Sequence, residues 1–108
     1  MKIDRGEIWL TDFDPTIGSE IAKTRPALVV SHSGYNAIAR TVTVLPISSG
    51  RYIKSFHVKL KRLKNNSHAL LPQLRTVSKK RIIKKLGRAT ETELTEIKEK
   101  LLRYLDMR

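Results

Sequence analysis

The chain predicts a small, mainly β domain finished by a single helix, and three features carry that prediction. Short apolar or alternating runs rich in β-branched residues recur between Arg5 and Ala89, punctuated by Pro, Gly, Asn and Asp. From Thr90 the period changes, with Leu94, Ile97, Leu101 and Leu105 returning every three or four residues. A length of 108 residues supports one core but not two. The expected architecture is one domain spanning 1–108, an antiparallel sheet or partly open barrel with a helix laid across it.

The elements follow in order. Arg5 to Phe13 alternates as a first strand, with Ile8 and Leu10 on one side and Glu7, Trp9 and Thr11 on the other. Asp14-Pro15 ends it, and Thr16 to Thr24 forms a polar loop with Gly18 and Ser19 at its tip. Pro26 to Ser31 is the second strand. Proline at its start is tolerated because only one ladder donor is lost there. Ser33 to Asn36 breaks the pattern. Thr41 to Leu45 is a third strand, closed by Pro46, with Ile47-Ser48-Ser49-Gly50 as a turn. Ser55 to Leu60 alternates as a half-exposed strand, with His57 and Lys59 on its outer face. Ala69 to Leu71 is short and apolar. After Pro72, Gln73 to Val77 is a further strand with Leu74 and Thr76 inward, and Lys84 to Ala89 returns to the sheet. Thr90 with Glu93 reads as a capping box at the start of a helix to Met107.

Charge is distributed unevenly. The net value is +12. Residues 1–54 hold 7 Lys/Arg against 5 Asp/Glu, whereas residues 55–108 hold 15 against 5. Such a one-signed surface repels itself and attracts polyanions or acidic proteins. The basic clusters share no helix with an apolar face, so a membrane surface is not the expected partner. No apolar run approaches the ~20 residues that span a bilayer. Met1 to Gly6 has no apolar stretch after its charges, so no signal peptide is expected. The absence of cysteine excludes disulfides and thiolate chemistry and fits a reducing cytoplasm. His32, His57 and His68 lack metal-ligand spacing, and no metal or other cofactor is expected.

Arg25 sits where a loop stiffens into a strand, a position that holds one charged group still. Ser48, Ser49, Gln73, Arg75 and Thr76 also lie at strand ends or turns, and Glu20 and Lys23 lie in the adjoining loop. Together they would supply a guanidinium fork, hydroxyls, an amide and a carboxylate, a set suited to handling phosphate.

Five collinear segments resemble the MazF/PemK/Kid toxins of bacterial toxin–antitoxin pairs. They are Arg5 to Leu10, Asp14 to Glu20, Lys23 to Ser31, Pro46 to Ser49 and Gln73 to Val77. The resemblance implies an SH3-like barrel that dimerises. It also implies a metal-independent endoribonuclease that cuts single-stranded RNA by 2′-OH attack, leaving a 2′,3′-cyclic phosphate and a 5′-OH. By the same mapping Arg25 and Ser48 are catalytic. The same mapping implies RNA contact by Gly18, Ser19, Glu20, Gln73 and Arg75. Lys23, Thr24, Ser49, Thr76 and the basic-surface residues Lys84 and Lys85 are further expected RNA contacts, and an acidic antitoxin is the expected partner. Glu20, Gln73 and Asn36 are the expected readers of base edges. The same fold hosts CcdB-like gyrase poisons, and a non-cleaving RNA-binding module is a further alternative.

Two departures bear on the chemistry. Ser48 stands where threonine is common, keeping the hydroxyl but losing the methyl that restricts χ1. Pro72 and Ser19 occupy positions where some members carry an acid and a histidine. No ordinary base is thereby assigned, since guanidinium stays protonated. His32 and His68 are the candidate bases in principle, and each reads first as a solvated surface histidine.

Overall fold

The computed structural model describes residues 1–15, 17–18 and 23–107. Seven antiparallel strands, β1 (Glu7–Asp12), β2 (Thr24–Val29), β3 (Thr41–Ser48), β4 (His57–Lys59), β5 (His68–Leu70), β6 (Arg75–Ser78) and β7 (Ile82–Arg88), form the sheet. A short helix, α1 (Ser33–Ile38), precedes β3, and α2 (Glu91–Tyr104) ends the chain. The sheet order is β4-β5-β3-β2-β1-β7, with β6 beside the first half of β3. A 3-10 turn, Lys79–Arg81, carries the chain from β6 to β7. No ladder among the described residues joins these two strands, so the expected barrel is a curled but open sheet.

Both sheet faces are buried, and strand alternation divides them. Ile8, Leu28, Leu45, Ile47, Val58 and Ala69 pack with Leu94 and Ile97 of α2. On the other face Trp9, Phe13, Ala27, Val29, Val42, Val44, Val77 and Ile82 pack among themselves. Leu94, Ile97 and Leu101 of the α2 stripe meet the sheet as their spacing predicts, whereas Leu105 at its end is exposed. The capping box is present: the Thr90 hydroxyl accepts the Glu93 N–H at 3.1 Å, and the Glu93 carboxylate accepts the Thr90 N–H at 2.9 Å. No described helix is long and apolar enough to cross a membrane.

Several local expectations are corrected. Ser33 to Asn36 belongs to α1, capped by the His32 ring, whose Nδ1 accepts the Gly34 N–H at 3.0 Å. Pro46 does not end β3, which runs on to Ser48. It stands beyond the β6 ladder and just before β3 turns to β5, so few donors are needed from it. Thr76 is exposed rather than inward, because Val77 takes the buried position on β6. His57 is buried although the alternation placed it outside, since neighbouring segments cover it.

Candidate nucleic-acid interface

The site begins with the parity of three strands. On β2, Arg25 follows Ala27 and Val29, which belong to the core on the face away from α2. On β3, Ser48 follows Val42 and Val44 onto that face. On β6, Arg75 follows Val77. The β2–β3 register pairs Val29 with Val44 and Ala27 with Pro46. That ladder ends at Ala27 and Pro46, two residues short of Arg25 on β2 and of Ser48 on β3. The two side chains named from sequence thus have the parity of one face, where the apolar core gives way to polar groups.

Each position has a local cause. Arg25 is half-buried and opposite Thr11 of β1. The hairpin end beneath it is tied down: Lys23 donates its N–H to Asp14 Oδ1 at 2.8 Å, and its carbonyl accepts the Phe13 N–H at 3.0 Å. Lys23 does so in the left-handed region, at φ 67°. Arg81 reaches from the β6–β7 connection to the carbonyls of Asp12 and Asp14, clamping the same end. Ser48 Oγ accepts the Gly50 N–H at 3.0 Å, which folds the turn after β3. Ser49 is exposed in that turn.

Arg75 lies 5.5 Å from the centroid of the fully buried Phe13 ring. This contact fixes a cation at the rim of the core. Its Nη1 is buried without a hydrogen-bond partner among the described residues. A buried donor of this kind gains most from an anionic ligand. Gln73 is half-buried at the end of the 3-10 turn Leu71–Gln73, immediately before β6.

Other expected contacts fall elsewhere. Thr76 points away from the Arg75 face and shares a 2.7 Å hydrogen bond with Thr43. Thr24 is exposed opposite Asp12, and Gly18 is exposed with φ 63°. Ser19 and Glu20 lie outside the described residues. Lys84 and Lys85 sit on β7, on the far side of β1 from Arg25. Lys85 is ion-paired with the buried Glu7 at 2.8 Å. Burial pushes the Glu7 carboxyl up, but the Asp4 N–H, Lys85 and the Trp9 indole together outweigh it and hold it below the usual carboxylate range.

Two further corrections concern candidate readers and bases. Asn36 is 1% exposed, its amide donating to the Ile3 and Ser31 carbonyls at 3.1 Å each. It holds α1 and cannot read a base. His68 is fully buried, not solvated, and stacks on His57, whereas His32 is exposed as expected. Sequence reasoning missed the buried His57–His68 pair because their contact is made across strands. No group of three or more potential metal ligands occurs among the described residues.

Two arginines and a hydroxyl thus lie on the face of a curled antiparallel sheet away from α2. The chain belongs to the PemK-like, MazF-like toxins of type II toxin–antitoxin systems, the family it matches over residues 4–105. It is 35% identical to the endoribonuclease MazF9 of Mycobacterium tuberculosis, over 95% of this chain and 96% of that protein. It is 33% identical to the endoribonuclease MazF of Staphylococcus epidermidis, over 88% and 84% respectively. Among solved structures it resembles MazF of Deinococcus radiodurans, with a TM-score of 0.89, 28% identity and 99% of each chain covered. It also resembles a MazE–MazF structure from the same organism, with a TM-score of 0.81, 25% identity, and 100% and 99% of the chains covered.

Proposed function

We propose that this chain is the toxin of a type II toxin–antitoxin pair and an endoribonuclease that cuts single-stranded RNA at short sequences. Arg25 and Ser48 act on the scissile phosphate. The ribose 2′-OH attacks the adjacent phosphorus and the P–O5′ bond breaks. The products carry a 2′,3′-cyclic phosphate and a 5′-OH. Negative charge gathers on the nonbridging oxygens, where a fixed guanidinium and a hydroxyl stabilise it. What supports this reading is strand parity: Arg25 and Ser48 fall on the face of Ala27 and Val44, each two residues past the last β2–β3 pair.

Arg75, Gln73, Ser49, Lys23 and Thr24 stand around the same strand ends and would hold the strand on either side of the cut. Lys84 adds backbone attraction from β7. Gly18, Ser19 and Glu20 contribute from the β1–β2 loop. A homodimer working in the cytoplasm, and an acidic antitoxin that neutralises this basic surface, complete the reading. They rest on the family and on the charge of +12.

The test is incubation of the full chain with a long single-stranded RNA in EDTA, with analysis of the ends formed. Cleavage to 2′,3′-cyclic phosphate ends that disappears in Arg25→Gln supports the assignment. Full-rate cleavage by a folded Arg25→Gln protein refutes the role of Arg25. No cleavage of any RNA by the wild type refutes the activity.

A further inference from the structure

Behind the Ser48 turn lies a buried aromatic cluster that the reading above does not use. His68 of β5 stands directly opposite Ser48 of β3, so the two side chains emerge on the same face. The His68 ring stacks on that of His57, with centroids 4.9 Å apart and planes tilted by 12°. Tyr52 meets both rings edge-on, at 6.1 and 5.4 Å.

The hydrogen bonds assign both tautomers. His57 Nδ1 faces the Ile53 N–H at 3.1 Å and must accept, so its proton is on Nε2. His68 Nδ1 faces the Asn66 carbonyl at 2.9 Å and must donate, so its Nε2 bears a lone pair. That Nε2 is buried without a partner among the described residues. Because His68 is fully buried, it touches no substrate, and any effect on the reaction passes through Ser48.

The cluster holds both ends of one segment. Residues 49–56 leave β3 through the Ser48–Gly50 hydrogen bond and return to β4 through the Ile53–His57 bond. The stack joins His57, at the return, to His68, which stands opposite Ser48 at the exit. The surrounding charges are cationic on two sides. Lys100 of α2 donates to the carbonyls of His57, at 3.0 Å, and Lys54, at 2.5 Å, and its own charge is paired with Glu96 at 2.8 Å. Lys59 of β4 lies 4.7 Å over the Tyr52 ring. A proton arriving on His57 Nδ1 would set donor against donor at Ile53 and add charge to this surround.

We propose that the His57–His68 stack positions the Ser48 hydroxyl for cleavage, and that protonating His57 in acid releases the turn and stops the reaction. The inference rests on the ribonuclease reading for its consequence and on the stack's geometry for its cause. Burial first, then the neighbouring His68 and Lys100, hold His57 below the usual histidine range. The release therefore occurs on the acid side of the ordinary histidine midpoint, and the turn is intact above it.

The test has two arms. The isotope-labelled full chain is titrated by NMR from neutral to acid pH, following the His57 ring and the Gly50 amide that bonds Ser48. The Gly50 amide is expected to move with the His57 midpoint; a Gly50 signal that ignores it overturns the proposal. In parallel, cleavage of a long single-stranded RNA is measured in EDTA across the same range. The wild-type kcat is expected to fall about tenfold for each unit below the midpoint, with KM little changed. His57→Asn keeps an acceptor for the Ile53 N–H but cannot titrate. It is expected to be slower at neutral pH and to lack the acid limb. An unchanged acid limb in folded His57→Asn overturns the proposal. RNA left uncut by the wild type at every pH, with Gly50 still tracking His57, sinks the ribonuclease reading but leaves the coupling of His57 to the Ser48 turn standing.

Discussion

The two faces of the sheet are built from the same strands but end differently. The face beneath α2 is sealed: Leu94 and Ile97 cover Ile8, Leu28 and Leu45, and apolar contacts continue to Leu101. The opposite face has no helix across its core cluster. It closes on its own curl around Phe13 and Val44, and at one rim the apolar residues give way to Arg25, Ser48 and Arg75. A sheet covered on one face by a helix gains stability there and leaves the strand ends of the other free to hold reactive groups. Stability and proposed chemistry are therefore separable by parity along single strands, since Leu28 and Ala27 are neighbours in sequence yet serve opposite faces.

The sharpest way to break this separation is Arg25→Ala. Cleavage is expected to fall by ~10²–10³, the size seen when one charge-stabilising donor is removed. Denaturant midpoints should move little, and a full-rate folded variant would show that the rim carries no chemistry. The converse is Ile97→Ala on the sealed face. It is expected to cost ~2–5 kcal/mol in urea unfolding. The rate per folded molecule should stay the same, and a comparable loss of rate would mean that the faces are coupled.

A smaller effect is expected at the helix cap, where Thr90→Ala should cost about 1 kcal/mol and leave RNA affinity unchanged. Lys84→Ala should weaken RNA binding across sequences and lower the salt slope by about 1. Lys85→Ala tests the neighbouring strand position by pH. Glu7 titrates below its ordinary value, so its stabilisation is complete above the carboxylate range and is lost as pH falls through the lowered value. Removing Lys85 narrows that gap. The variant should be less stable than wild type at neutral pH, and the deficit should vanish in acid; a deficit independent of pH would separate Glu7 from Lys85.

Much of this arrangement was legible in the chain. The alternation of Glu7 to Thr11 separates Ile8 from Trp9, and the leucine spacing with the Thr90–Glu93 box marks α2. Arg25 stood out because Pro26 and an apolar run follow it, and the collinear motifs drew Ser48 and Arg75 beside it. The misreadings share one cause. Asn36, His57 and His68 sit in polar or alternating stretches that read as surface, but their burial depends on what lies across from them. Thr76 is the reverse case, read as inward and left exposed beside the buried Val77. Asn36 is buried by contact with Ile3, and His57 by stacking on His68.

By itself the sequence determined the succession of strands, the terminal helix, the basic surface and the chemical types available at the strand ends. These follow from forces between residues a few positions apart, namely periodic burial, capping and turn preference. Only the tertiary structure decided that Arg25 and Ser48 lie just past the same β2–β3 pair, that Arg75 rests on Phe13 and that His68 stands opposite Ser48. Those meetings depend on strand register and sheet curl, which are set by the packing of the whole core rather than by any local pattern.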